Sequence, residues 1–254
     1  MAGTLTVVGL GPGDPCYLTA DASDALLAAE AVYGYKTYFD RLPLHRHQLH
    51  YPSDNREEGA RAAAAIEHAA RGGNVAVVSG GDPGVFAMAA AVCEAIDRGP
   101  DAWRQLDVEF VPGITAMLAV AAKIGAPLGH DFCALSLSDN LKPWELIERR
   151  LDAAAGAGFV IALYNPVSRA RPWQLGKALE RLRGHLTAET PVIFGRAVGR
   201  PDESIAVSTL AAADKMPADM ATLIIVGSPT TRIVARPGKT PLVYTPRAAA
   251  EVSA

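Results

Sequence analysis

An α/β protein of two units, each a mostly parallel or mixed sheet flanked by helices, is the fold class that this 254-residue chain predicts. Two observations carry the prediction. Short Val/Ile/Leu runs alternate with Ala-rich stretches of helical period, the pattern of a sheet covered by helices. Four of those runs pass directly into a glycine loop: GPGDP at 11–15, SGGDPGVF at 79–86, VPGITAM at 111–117 and VGSPTTR at 226–232. In parallel sheets ligands sit beyond the carboxyl ends of strands, where Gly lets backbone approach them with no Cβ in the way. A third feature, the Gly/Pro-rich IGAPLGHDF at 124–132, reads as a linker at the change of composition.

The elements follow in order. The apolar run 5–10 is the first strand, and Thr19 or Asp21 caps a helix over about 19–29. A Tyr-rich strand-like stretch (32–38) and a polar loop come next, then an Ala-rich helix over about 57–71 that Gly72 and Gly73 end. Strand 75–78, helix 84–97, strand 107–111 and helix 114–123 complete a first domain, 1–123. After the linker at 124–131, a second domain over 132–247 holds strands near 133–137, 159–164, 192–198, 204–208, 223–226 and 242–244, with helices over 143–155 and 173–186; 248–254 is a tail. More strands per helix than in the first domain points to a mixed sheet with antiparallel members.

Composition narrows the function. A net charge of −3 provides no basic field for non-specific nucleic-acid binding. Cys16, Cys93 and Cys133 form no CxxC pair, which argues against a disulfide framework and a thiolate metal site and favours a reducing cytosol. No apolar run reaches membrane-spanning length and the N-terminus lacks a basic leader, so a soluble, cytoplasmic enzyme of small molecules is expected.

The glycine loops do not suit a phosphate ligand. GxGxxG fails because Asp14 holds the third glycine position, and a carboxylate there repels pyrophosphate. A Walker A loop fails because Ile233 precedes Gly238-Lys239-Thr240 where the leading glycine belongs. Acidic loops suit a ligand with cationic and hydroxyl groups, such as S-adenosylmethionine. Asp82 either contacts such a ligand or caps the helix that opens near Pro83; the two roles are compatible.

At this point the residues resemble a known family. GPGDP followed by Leu18-Thr19, GGDP at 80–83, PGITA at 112–116 and LIIVG at 223–227, in this order, are similar to the tetrapyrrole methylases, over about residues 4–245. The resemblance implies two α/β domains with a cofactor cleft between them, a homodimer, S-adenosylmethionine as cofactor and a tetrapyrrole as substrate. The segments 32–38, 125–144, 162–171 and 195–204 are similar to members that methylate carbon 17 of precorrin-3B and contract the ring to precorrin-4, and to those that act on cobalt-factor III. The implied cofactor contacts are Pro12, Gly80, Gly81, Asp82, Val85, Thr115, Ala116, Tyr164, Asn165, Gly195 and Thr222. Many relatives carry Met or another apolar residue at the place of Asn165, so Asn165 faces either cofactor or tetrapyrrole.

Ring contraction calls for proton transfer, for which Asp14 is the first carboxylate candidate, set against a purely local role in its turn. His130 and Asp131 form a second pair, set against interdomain hydrogen bonding. For substrate carboxylates the candidate cations are Lys36, Arg41, Arg46, Arg56, Lys142, Arg169, Arg171, Arg196, Arg200 and Arg232, with Arg169, Arg196 and Arg232 preferred because they follow strand ends. His45, His47 and His50 lack a carboxylate or thiolate at ligand spacing, so no metal is expected. Tyr33, Tyr35 and Tyr38 fit a core or interface role, and Trp144 and Trp173 fit packing anchors. Other methyl acceptors (another precorrin, uroporphyrinogen III, a diphthamide precursor, ribosomal RNA) and a non-catalytic tetrapyrrole or nucleotide binder are the rival readings.

Overall fold

The computed structural model describes residues 3–40, 42 and 47–248, so Arg41, His45 and Arg46 lie outside the described residues. The chain divides into two compact units, Met1–Ala116 and Met117–Ala254.

The first unit is a five-stranded sheet in which every pair is parallel. Its elements are β1 (Thr4–Gly9), α1 (Ala20–Ala28), β2 (Ala31–Tyr35), α2 (Lys36–Phe39), β3 (Leu49–Ser53), α3 (Glu58–Ala70), β4 (Asn74–Ser79), α4 (Met88–Arg98) and β5 (Asp107–Val111). The strand order is β3-β2-β4-β1-β5. Near-continuous apolar strands are explained by cover on both faces, because successive side chains point opposite ways. Leu5, Val7, Val75 and Val77 pack under Ala62, Ala65 and Ile66 of α3 and Met88 and Val92 of α4. Val8, Ala76 and Val78 pack under Ala22 and Leu26 of α1. The Ala cluster of α3 is therefore partly core, since Ala62 and Ala65 are fully buried. Thr19 is the cap expected for α1, its Oγ1 accepting from Ala22 N at 3.1 Å.

Three first-unit expectations are corrected. The stretch 32–38 is not one strand: β2 stops at Tyr35 and α2 follows, with Tyr35 and Tyr38 meeting edge to face at 5.6 Å. The polar loop contains the edge strand β3, whose exposed, Pro-containing LHYPS lacks the apolar run by which a strand is recognised. Tyr51 on β3 stacks on the buried Tyr33 at 4.4 Å. Finally α4 begins at Met88, not residue 84, because Phe86 takes a left-handed φ of 53° that no helix tolerates.

The second unit holds a mixed sheet and a small one. Its elements are α5 (Ala116–Ile124, whose first residue closes the first unit), β6 (Gly125–Ala126), β7 (Phe132–Ser136), α6 (Trp144–Gly156), β8 (Val160–Tyr164), α7 (Gln174–Leu182), β9 (Pro191–Arg196), β10 (Ser204–Thr209), β11 (Thr222–Val226), β12 (Arg232–Val234) and β13 (Leu242–Tyr244). The larger sheet runs β10-β9-β11-β8-β7, with only β7 and β8 parallel. One face is covered by α6 and α7, through Ile147, Leu151, Leu175, Leu179 and Leu182. Of these, Ile147, Leu151, Leu179 and Leu182 are fully buried, and each stabilises the unit by about 1.5–3 kcal/mol. The 124–131 segment is not free linker: β6 pairs with β13, which pairs with β12, and Thr245 Oγ1 donates to Pro127 O at 2.6 Å.

An ion pair clamps the two helices. Arg181 on α7 grips Asp152 on α6 with Nε and Nη2 at 2.6 to 2.9 Å, and His185 Nε2 reaches the same carboxylate at 3.1 Å. The Arg181 hydrogen bonds hold the Asp152 carboxyl below the ordinary 3.8. A depressed carboxyl contributes stability that is present above its unfolded value and is lost as pH falls through the folded one. Asp152→Asn should therefore lower the melting temperature by about 2 °C at pH 7. Thermal scans of the two proteins should converge as the pH drops below 4; a gap that is constant with pH would refute the assignment.

Candidate functional site

The order β4-β1-β5 sets three glycine loops side by side in the first unit, because parallel strands end on one edge. The ladder continues beyond the strands: Leu10 N donates to Ser79 O at 2.9 Å, Gly81 N to Gly11 O at 2.8 Å and Gly11 N to Gly81 O at 3.1 Å. The third loop is drawn in by Asp82, whose Oδ2 accepts from Gly113 N at 3.1 Å while Oδ1 accepts from Gly84 N at 2.8 Å. Backbones here lie closer than side chains permit. A Cβ on Gly113 would stand 2.3 Å from Gly81 O, and one on Gly9 would stand 2.6 Å from Gly113 N. Gly81 also takes a φ of 70°, so it needs the freedom that only glycine has.

Pro12, Gly80, Gly81, Asp82, Val85, Thr115 and Ala116 all belong to these three loops. Asp82 does not cap α4, which starts six residues later; it closes its own turn and ties the third loop to the second. Across residues 9–15, 79–86 and 111–116 there is no Lys or Arg, and the charged residues are Asp14 and Asp82. A carboxylate has about four lone-pair sites, so Asp82 keeps acceptor capacity for a hydroxyl or an ammonium. The cradle thus fits a ligand such as S-adenosylmethionine, with hydroxyls and positive charge, and is ill suited to pyrophosphate.

Asp14 is exposed and caps a 3-10 turn over Pro15–Tyr17, its Oδ1 accepting from Cys16 N at 2.8 Å. That bond holds its carboxyl below the usual range. Asp14 is accordingly ionised at neutral pH.

In the second unit four of the expected residues stand at one sheet edge, since the start of antiparallel β11 lies beside the ends of β8 and β9. Tyr164 ends β8, and its Oη accepts from Met117 N, near the start of α5, at 3.2 Å. Asn165 follows with a φ of 52° and donates through Nδ2 to Ser136 Oγ at 2.9 Å. Gly195 is covered: a Cβ there would lie 2.3 Å from Val120 Cγ2, so its missing side chain admits α5. Thr222 is buried, and its Oγ1 donates to Asp219 Oδ1 at 2.9 Å.

The candidate cations separate into engaged and exposed groups. Arg196 donates to Asp219 Oδ2 and Asp202 Oδ2, each at 2.8 Å, which matches its charge within the chain. Lys36 pairs with Asp54 at 2.8 Å, and Arg171 with Asp139 at 2.6 Å. Arg169 is exposed in the loop after β8, and Arg232, expected after a strand end, instead begins the exposed strand β12. Lys142 is partly buried, and burial, followed by Arg150, lowers its proton affinity. His130 sits in the turn before β7, where Asp131 O accepts from Val160 N at 3.1 Å. His50 lies 5.8 Å from the ring of Phe39, and Trp144 and Trp173 meet edge to face at 4.8 Å.

Phe86 and Ala197 escaped sequence reasoning, and so did the left-handed backbone of Asn165, which the sequence marks only as a ligand contact. Each is a non-glycine residue with φ near 50° in the segment that follows a strand, β4, β8 and β9 respectively. Such strain collects where loops are shaped for function, and nothing in their residue types announces it.

The profile of the Tetrapyrrole (Corrin/Porphyrin) Methylases matches residues 4–214. A Precorrin-3B C(17)-methyltransferase of Sinorhizobium sp is 64% identical, over 97% of this chain and 97% of its own. A probable cobalt-factor III C(17)-methyltransferase of Salmonella typhimurium is 43% identical, over 90% of this chain and 94% of its own. The crystal structure of the methyltransferase CobJ superimposes with a TM-score of 0.91 at 46% identity, covering 96% of this chain and 100% of that one.

Proposed function

Because this chain belongs to the tetrapyrrole (corrin/porphyrin) methylases, we propose that it methylates carbon 17 of precorrin-3B from S-adenosylmethionine, contracting the ring to precorrin-4 in cobalamin biosynthesis. The observation that carries this reading is the 64% identity to a precorrin-3B enzyme across 97% of both chains. The 43% identity to a cobalt-factor III enzyme supports a second reading, the same methylation on a cobalt-containing ring.

Bound S-adenosylmethionine supplies an electrophilic methyl group on a sulfonium. The residues proposed to hold it are Pro12, Gly80, Gly81, Asp82, Val85, Thr115 and Ala116 in the glycine loops. Asp82 takes ribose hydroxyls or the ammonium, while the loop backbone fixes orientation, from which much of the rate of a displacement derives. Gly195 and Thr222 shape the sheet edge beneath, one admitting Val120 and the other closing the Asp219 turn. Asp14, held ionised, accepts the hydroxyl proton released in ring contraction; the acid that opens the lactone is another group, for which His130 is the candidate. Arg169, Lys142 and Arg232 meet the acetate and propionate arms.

A cytoplasmic homodimer belongs to the same proposal. Among the described residues no helix is long and apolar enough to cross a membrane. Ile233, Val234, Leu242 and Tyr244 on the β12–β13 pair are exposed apolar surface of the kind an interface covers.

The test is anaerobic incubation of precorrin-3B, and in parallel cobalt-factor III, with methyl-labelled S-adenosylmethionine, read by mass spectrometry. Label at carbon 17 of the metal-free ring is expected; label only on the cobalt species selects the second reading, and label on neither refutes both. Asp14→Asn should slow formation of the contracted ring about 100-fold with S-adenosylmethionine affinity unchanged. An undiminished rate would remove Asp14 from the chemistry.

A further inference from the structure

Because β7 and β8 are parallel neighbours, the loops that leave them, residues 137–143 and 165–173, rise from one sheet edge. They are clipped together. Arg171 Nη1 donates to Asp139 Oδ1 at 2.6 Å and also to Asn140 Oδ1, and Gln174 Nε2 donates to Asp139 Oδ1 at 3.0 Å and to Leu137 O at 2.7 Å. The edge-to-face contact of Trp144 with Trp173 closes the base.

What this clip presents contributes nothing to the core. Leu141, between the clipped Asn140 and Lys142, is 99% exposed, the most exposed large apolar side chain among the described residues. Next to it Lys142 is partly buried; burial and then the like charge of Arg150 disfavour its charged form, and the Asp139 carboxylate offsets them only in part. Arg169 is exposed on the opposing loop. Within the clip, Arg171 Nε and Ser168 Oγ are buried without a hydrogen-bond partner. Unsatisfied buried donors are costly and leave the clip itself incomplete, while the cations Lys142 and Arg169 beside it call for a carboxylate.

We propose that these two loops form a clamp for a carboxylate-bearing macrocycle, in which Leu141 lies against the ring face, Lys142 and Arg169 take carboxylate arms, and Arg171 is the positioning residue that joins the loops. The proposal rests on the tetrapyrrole reading above for its occupant, since that substrate class combines a wide apolar face with several carboxylates. It assigns recognition to a side chain, Leu141, whose replacement cannot disturb packing, because it packs against nothing.

The experiment compares the full chain with Leu141→Ser and Arg171→Lys, measuring binding of uroporphyrin III and its octamethyl ester by fluorescence quenching. Steady-state methylation of precorrin-3B, the melting temperature and the sedimentation coefficient are recorded alongside. Leu141→Ser should weaken uroporphyrin III binding, and raise the KM for the tetrapyrrole, about tenfold. The KM for S-adenosylmethionine, the melting temperature and the oligomeric state should not change. Arg171→Lys keeps the charge but loses the fork, and should raise the same KM without altering that for S-adenosylmethionine. The ester should bind the unaltered chain more weakly than the free acid. Equal affinity in Leu141→Ser and the unaltered chain, a shifted oligomeric state, or no tetrapyrrole binding at all would overturn the clamp. Uroporphyrin III binding that depends on Leu141, without methylation of precorrin-3B, sustains the clamp and refutes the proposed reaction; methylation with an unaltered KM in Leu141→Ser does the reverse.

Discussion

Gly113→Ala should abolish S-adenosylmethionine binding and destabilise the first unit by about 3 kcal/mol, the upper part of the range for overpacking. The added methyl would stand 2.3 Å from Gly81 O and 2.8 Å from Gly9 C, and both are backbone atoms. No side chain can rotate away to make room. Nor can the backbone retreat cheaply, since Gly81 exchanges two hydrogen bonds with Gly11, and Gly113 N is held by Asp82. Calorimetric unfolding together with titration of S-adenosylhomocysteine measures both effects. A variant that melts within a degree of the parent and still binds would show that the three loops are not locked as described.

Asp82→Ala should cost about a hundredfold in affinity for S-adenosylmethionine, close to 2.7 kcal/mol. Two causes act together. The carboxylate is removed as a ligand partner, and the Gly113 and Gly84 N–H groups lose their acceptor, which loosens the third loop against the second. Asp82→Asn loses the charge and one of the two acceptor oxygens but keeps the other, so its affinity should fall between those of the parent and Asp82→Ala. An affinity equal to that of Asp82→Ala would show that the one remaining acceptor contributes nothing. Unchanged binding in Asp82→Ala with the fold intact would remove Asp82 from the cofactor site.

Much of this protein could be read from its residues alone. Apolar runs place β1, β4, β8, β9 and β11, because strands covered on both faces must be apolar at successive positions. The family and its glycine loops were legible for a related reason: close backbone approach admits only Gly, and so leaves a mark in residue type. Elements without such a mark had to await the structure. The exposed β3 and the two-residue β6 are strands only because a neighbour supplies their hydrogen bonds, and α4 starts late because Phe86 turns left-handed.

The roles of side chains were decided by tertiary contacts for the same reason. Arg196 and Arg169 are alike in sequence, yet one is flanked by Asp202 and Asp219 and the other is exposed. Asp82 resembled a helix cap but ties two loops across 31 residues of chain, and the missing side chain of Gly195, whatever ligand it faces, admits a helix. Local propensity and pattern are properties of neighbouring residues, so the sequence determined the strands, the glycine turns and the family. Charge pairing, cover and backbone strain depend on what the fold brings from elsewhere in the chain, and only the tertiary structure decided which of the predicted residues are engaged within the chain itself.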